Sequence, residues 1–413
     1  MEIKNMGIME TKGGVTSPIG YYATGNHIGI KEGKKDLAII YSEVPAKAVG
    51  VFTTNVVKAA PVLWAQNLIQ SQNLIQAIVV NSGNANACTG EIGIEHTELM
   101  AAELASCLGL NKNQVIVAST GVIGVPLPID KVVDGINSTY KKLGNTENDA
   151  NLAAEAIMTT DTYPKAISVE FLINNKKIRI GGMAKGSGMI HPNMATMLSF
   201  ITTDVNISRD LLNKALKESV DESYNMISVD GDTSTNDSVI LLANGMSKNP
   251  EIKNENKEYH IFKQALHYVN TFLAQEIVRD GEGAKKFITV HIKGAISNHE
   301  AKILSKSVIT SNLVKTAFFG EDANWGRILA AMGYSGANFD PSKVSIIFKN
   351  GSNSIKLMQD GTPTLFDEHQ AKIILKKKEI IVQVVLKEGN GEAIAWGCDL
   401  SYDYVRINGD YRT

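Results

Sequence analysis

The chain has 413 residues, 44% of them hydrophobic and 20% charged, with 41 Lys and Arg against 43 Asp and Glu. That length permits a large buried core, the composition excludes a chain disordered throughout, and a net charge of −2 lacks the basic excess that binds a nucleic-acid backbone. Cys88, Cys107 and Cys398 lie far apart with no CxxC pair, which excludes a disulfide framework or a cysteine-rich zinc site and suits a reducing cytoplasm. The opening residues MEIKNMGIME carry no apolar core of a secretory signal, and no run of about 18 apolar residues predicts a membrane span. The 35 glycines against 10 prolines imply many tight backbone passages, as where loops converge on a small molecule.

In chain order, Ala77–Ser82 and Gln114–Ser119 read as buried strands, with helical character over Glu95–Leu108 between them. After Pro128, the apolar positions Ile129, Val132, Val133, Ile136 and Tyr140 share one helical face. Strands follow at Ala166–Ile173 and Lys177–Gly182, and then a helix capped by Ser208 with Leu211, Leu212, Ala215, Leu216 and Val220 on its stripe. Ser238–Ala243 reads as a strand and Gly245–Tyr259 as a solvated connection. A longer helix over Ile261, Ala265, Val269, Leu273 and Ile277 stops at Asp280-Gly281, and Phe287–Ile292 reads as a strand. Val344–Phe348, Glu379–Leu386 and Ala393–Leu400 predict a C-terminal lobe of largely antiparallel strands. The expected division is a catalytic α/β domain over 1–290 and a smaller α/β lobe over 291–413.

Phosphate-loop, nucleophile-elbow and H-E-x-x-H motifs are absent, and the eight histidines show no metal-ligand spacing, so no metal is expected. Asp230–Asp237 (DGDTSTND) lacks the sixth-position glycine and closing glutamate of a calcium loop. It reads instead as a polar turn beside a site or a hydrogen-bonded core network. In Gly181–Asp204, glycine-dense polar residues run into the apolar stretch Met194-Ala195-Thr196-Met197-Leu198. Thr196 reads either as an ordinary β-branched strand residue or as a nucleophile released by cleavage of the bond before it. A freed threonine owns a hydroxyl and an α-amine of pKa about 7.7–8.0 that can take its proton.

This stretch resembles the self-processing site of the ornithine acetyltransferase family, the glutamate N-acetyltransferases of the cyclic arginine pathway. Further blocks, in family order, carry the resemblance along essentially the whole chain: Val117–Gly124, Met158–Thr162, Gly181–Thr196, Val278–Ala284, Asp322–Arg327 and Tyr404–Thr413. Gly409 stands where many members have Ala. The resemblance implies an N-terminal-nucleophile-like fold of mixed sheets with flanking helices, cut between Ala195 and Thr196 into an α chain (1–195) and a β chain (196–413). It implies Thr196 as nucleophile, Thr120 and Gly121 as oxyanion hole, and Thr162, Lys185, Thr196, Glu282, Asn408 and Thr413 as substrate contacts, with Lys185 meeting a carboxylate and Glu282 the ornithine ammonium. It further implies acetyl transfer from N-acetylornithine to glutamate with no cofactor, acetyl-CoA being a co-substrate that some members also take, and an α2β2 assembly in the cytoplasm. Two rivals share these residues: a self-processing N-terminal-threonine amidase or aminopeptidase that uses water as acceptor, and a non-enzymatic amino-acid binder.

Overall fold

The computed structural model describes residues 7–191 and 197–410; Ala195, Thr196 and Thr413 lie outside the described residues. The strands are β1 (Met9–Thr11), β2 (Tyr21–Asn26), β3 (Leu37–Phe52), β4 (Leu74–Asn84), β5 (Val115–Val122), β6 (Lys165–Ile173), β7 (Lys176–Lys185), β8 (Leu198–Thr203), β9 (Ile227–Ser228), β10 (Ser238–Ala243), β11 (Phe287–Ala295), β12 (Ser345–Asn350), β13 (Asn353–Gln359), β14 (Thr362–Pro363), β15 (Glu379–Val385) and β16 (Gly391–Cys398). The helices are α1 (Ala60–Gln70), α2 (Gly90–Leu108), α3 (Ile129–Thr139), α4 (Glu147–Ala156), α5 (Arg209–Asp221), α6 (Lys257–Arg279), α7 (Asn298–Thr310), α8 (Asn312–Phe319), α9 (Trp325–Gly333), α10 (Glu368–Leu375) and α11 (Tyr402–Asp410).

Two mixed sheets result. The first runs β1-β6-β7-β8-β10-β3-β4-β5, with β2 also paired to β3; the second runs β14-β13-β12-β15-β11-β16-β9. The period-two alternation of strand side chains divides the core. Ala77 and Val79 of β4 enter one cluster with Met100 and Leu104 of α2 and Val132 and Ile136 of α3. Ile78 and Val80 enter another with Ala150, Ala153 and Ala154 of α4. With both faces covered, β4 reads as a continuous apolar run rather than an alternating one. Farther along the sheet, Val239, Leu241 and Ile201 join the largest cluster, which continues through α5 and α6 into the second sheet.

The helices follow their apolar spacing. In α6 the residues Phe262, Leu266, Val269, Leu273 and Ile277 are buried, and the Asn256 side chain accepts the Tyr259 N–H at the N-terminus. Three expectations change. Ser208 stands at the N-cap of α5, but its side chain makes no capping hydrogen bond. Gly245–Tyr259 is no free solvated link: Asn249 and Ile252 are buried, Ser208 N donates to Ile252 O at 2.9 Å, and Tyr259 is wholly buried inside α6. The division after residue 290 falls inside β11, and the second sheet takes β9 from the preceding half of the chain. That sheet is largely antiparallel, with β11–β15 and β16–β9 parallel. No described helix is long and apolar enough to cross a membrane.

Candidate active site

The ends of several strands of the first sheet line one cavity. β4 and β5 run parallel and finish together, β7 ends at Lys185 opposite Leu198 at the start of β8, and β10 starts beside it with Ser238 opposite Leu198. A cavity of about 240 Å³ opens there, lined among others by Thr120, Gly121, Lys185, Glu282 and Asn408. Five of the expected site residues, drawn from positions 120 to 408, therefore share one enclosure. α11, which follows the second sheet, brings Tyr404 and Asn408 across its mouth.

Gly121 is required by its surroundings. Its φ is +135°, and a Cβ there would stand 2.3 Å from the Gly83 carbonyl carbon of the neighbouring strand. Thr120 beside it is 9% exposed. The Asn236 amide fixes this strand end by donating to Ala85 O at 2.6 Å and Ser119 O at 2.8 Å. Lys185 is 8% exposed and donates to Thr159 Oγ1 at 2.8 Å and Thr120 Oγ1 at 3.3 Å. An ammonium only donates, so the Thr120 oxygen accepts and its own hydrogen stays available to a third group. Burial lowers the Lys185 pKa, reinforced by Lys165 and opposed by Asp161, Asp237 and Glu282.

The strand-end lysine is held from behind by a buried charge triad. Lys165 Nζ donates to Asp161 Oδ1 at 2.8 Å and Asp280 Oδ2 at 2.6 Å, with all three side chains buried. Asp161 also accepts the Gly186 N–H at 2.7 Å. Burial alone would raise the Asp161 carboxyl, but Lys165, Lys185 and that N–H hold it well below the usual carboxylate range. Ser187 Oγ donates to Asp280 O at 2.6 Å and Glu282 N to Ser187 O at 3.0 Å, so Glu282 is stitched to the loop that follows Lys185. Gly188 faces the Glu282 carboxylate, and a Cβ would meet its atoms at 2.3–2.4 Å. Asn408 Nδ2 donates to Glu282 Oε2 at 2.7 Å.

Thr162 is not brought into this cavity. Its hydroxyl and its N–H both donate to the Asp280 carboxylate, turning it to a neighbouring cleft. Thr159 and Thr160 line the cavity in its place. The polar turn at 230–237 stands beside the site as expected. Asp230 accepts the Met189 and Ile190 N–H groups at 2.6 and 2.8 Å, and burial together with Asp230 pushes the Tyr404 phenol up. Burial also raises the Asp237 carboxyl well above the carboxylate range, against Ser234, Lys185 and the Met197 N–H; its Oδ2 has no hydrogen-bond partner. Sequence reading did not single out Asp237 or Lys165 as individuals. Asp161 and Lys165 do not share a helix, so their spacing carried no signal for the triad, and nothing local marks Asp280 as its third member. Among the described residues, no three His, Cys, Asp or Glu side chains converge as a metal site.

A model described as the ArgJ family matches residues 22–413. The arginine biosynthesis bifunctional protein ArgJ 1 of Clostridium acetobutylicum is 58% identical over 95% of this chain and 96% of its own length. The bifunctional ArgJ of Caldanaerobacter subterraneus is 53% identical over 97% of this chain and 99% of its own. A solved ornithine acetyltransferase of Mycobacterium tuberculosis, complexed with ornithine, is 38% identical and covers 46% of this chain and 100% of that one, with a TM-score of 0.42.

Proposed function

This chain belongs to the ArgJ family, and from that premise we propose that the cavity moves an acetyl group from N-acetylornithine to glutamate in arginine biosynthesis through an acetyl-threonine ester. The observation that carries the reading is the convergence of Thr120, Gly121, Lys185, Glu282 and Asn408 on one cavity, two residues before whose Leu198 wall the sequence places Thr196. The amidase alternative is not retained.

Thr196 acts twice. Its Oγ attacks the Ala195 carbonyl, and the acyl group shifts from nitrogen to oxygen so that the C–N bond breaks and the Thr196 amine is freed. Water then hydrolyses the ester, releasing the Ala195 carboxylate and the Thr196 hydroxyl. In turnover, Oγ bonds to the acetyl carbon of N-acetylornithine and the amide C–N bond breaks. The α-amine takes the hydroxyl proton and returns it to the departing ornithine nitrogen. Glutamate's amine then attacks the ester, the C–O bond breaks and Thr196 recovers its proton. The Thr120 hydroxyl, its oxygen already bonded to Lys185, and the Gly121 N–H suit the oxyanion of each tetrahedral intermediate. Lys185 suits the α-carboxylate common to both amino acids, and Glu282, oriented by Asn408, suits the ornithine ammonium; Thr413 completes the proposed contacts. The turnover steps use the two substrates alone, and acetyl-CoA would enter as a second acetyl donor to the same threonine. An α2β2 assembly in the cytoplasm belongs to the same proposal. The test is Thr196→Ala, which should remain a single uncleaved chain on a denaturing gel; efficient cleavage in that variant would refute the nucleophile assignment.

A further inference from the structure

The two substrates pose a charge problem that the cavity alone does not solve. N-acetylornithine and glutamate share an α-carboxylate, yet one side chain ends in an ammonium and the other in a carboxylate. Glu282 attracts the first and repels the second, and Lys185 is the one Lys or Arg among the described residues lining the cavity. A second, wider cleft of about 810 Å³ shares Thr159 and Thr160 with the cavity and is lined also by Lys31, Lys34, Lys35 and Thr162. Its loop is built around the wholly buried Asp36, whose carboxylate accepts the N–H groups of Ile28, Ile30 and Lys31 at 2.6, 2.7 and 2.9 Å. Lys31 Nζ donates to Met158 O at 2.7 Å, while Lys185 Nζ donates to Thr159 Oγ1 at 2.8 Å. Two ammoniums thus stand on consecutive residues, one from each cavity. Lys35 is paired with Glu155 at 2.7 Å, but among the described residues neither Lys31 nor Lys185 forms an ion pair with a carboxylate.

We propose that Lys31 determines specificity for the anionic acceptor: it receives the side-chain carboxylate of glutamate beside the shared Thr159 and Thr160, while Glu282 receives the side-chain ammonium of the donor. The assignment rests on the acetyl-transfer reading above. It explains how one nucleophile serves two amino acids of opposite side-chain charge without either being forced against a like charge.

The half-reactions separate the roles. Acetyl-enzyme formation from N-acetylornithine alone is followed by intact mass, and KM for glutamate is measured in full turnover. Lys31→Met should raise KM for glutamate by about ten- to a hundredfold, the scale of a lost hydrogen bond to a charged group, with acetyl-enzyme formation close to wild type. Lys31→Arg should restore much of the loss. Glu282→Gln should show the opposite split, weakening N-acetylornithine and sparing glutamate. Burial, with Lys34 and Lys185, brings the Lys31 ammonium down to about 8 against Asp36 and Asp161; His27 and the Lys35–Glu155 pair also line the cleft. KM for glutamate should therefore rise above about pH 8 more steeply than KM for N-acetylornithine, which Lys185 also serves and which acts as the internal control. A Lys31→Met enzyme whose KM for glutamate is unchanged, or whose two substrates weaken equally, would overturn the proposal. A wild-type chain that forms no acetyl-enzyme would overturn the transfer reading and this proposal with it.

Discussion

At the scale of single residues, the chemistry depends on a few side chains held where burial would otherwise expel them. Lys185 is kept at a strand end by two threonine hydroxyls and by the carboxylates around it. Removing its charge with Lys185→Met should lower kcat/KM with N-acetylornithine by about ten- to a hundredfold, since a charge-assisted contact to the substrate carboxylate is lost; unchanged kinetics would mean the lysine is structural. Lys165 is a different case, because it touches Asp161 and Asp280 rather than the cavity. Lys165→Met leaves two buried carboxylates uncompensated and should cost about 3–5 kcal/mol, read as a lower urea midpoint. The pH sign follows from Asp161, whose folded pKa lies below its unfolded value. Its contribution is fully present above the ordinary carboxylate range and is lost as pH falls from there toward the folded value, so this share of the urea midpoint should hold from pH 7 to about pH 5 and decline below that.

At the scale of elements, the site is a meeting of strand ends, and its least tolerant point is the close approach of β5 to β4. Gly121→Ala places a methyl against the Gly83 backbone at a φ that L residues rarely adopt, so the oxyanion-hole end of β5 must shift. Acetyl transfer should fall by about 10²–10³, the cost of one misplaced oxyanion donor; near-normal turnover would show that Gly121 N–H plays no such part. β5 and its Thr120–Gly121 end were legible in the sequence because a buried β-branched run met a glycine turn. β3 was not, although it is the longest strand. Pro45 and the charged Glu43 and Lys47 interrupt its pattern, and its pairing with β4 shifts register between Tyr41 and Ala46. The Lys165 triad and the cleft at Lys31 were equally hidden, since Asp280 and Met158 reach their partners across 115 and 127 residues. Thr162 was placed by resemblance in the substrate cavity, but its hydrogen bonds to Asp280 turn it to the adjoining cleft. Spacing along the chain shows which residues can share a turn, not which way a hydroxyl points once a carboxylate competes for it.

At the scale of the whole molecule, the proposed cut between Ala195 and Thr196 would not free two independent bodies. β8, from the second fragment, pairs with β7 from the first, and β10 pairs with β3, so the first sheet is completed only by both. The two fragments should elute together on size exclusion under native conditions and separate only in denaturant; separate elution without denaturant would contradict this sheet order. The same interleaving keeps Lys185, from the first fragment, beside Glu282 and Asn408, from the second, which is how a severed chain retains one active cavity. The most direct test of the acetyl-threonine mechanism is the intact mass of the purified protein before and after incubation with N-acetylornithine. Two fragments divided at Ala195–Thr196 are expected, and then a single acetyl group on the fragment that begins at Thr196. An uncut chain that nevertheless transfers acetyl groups, or an acetyl group found on the N-terminal fragment, would contradict that mechanism.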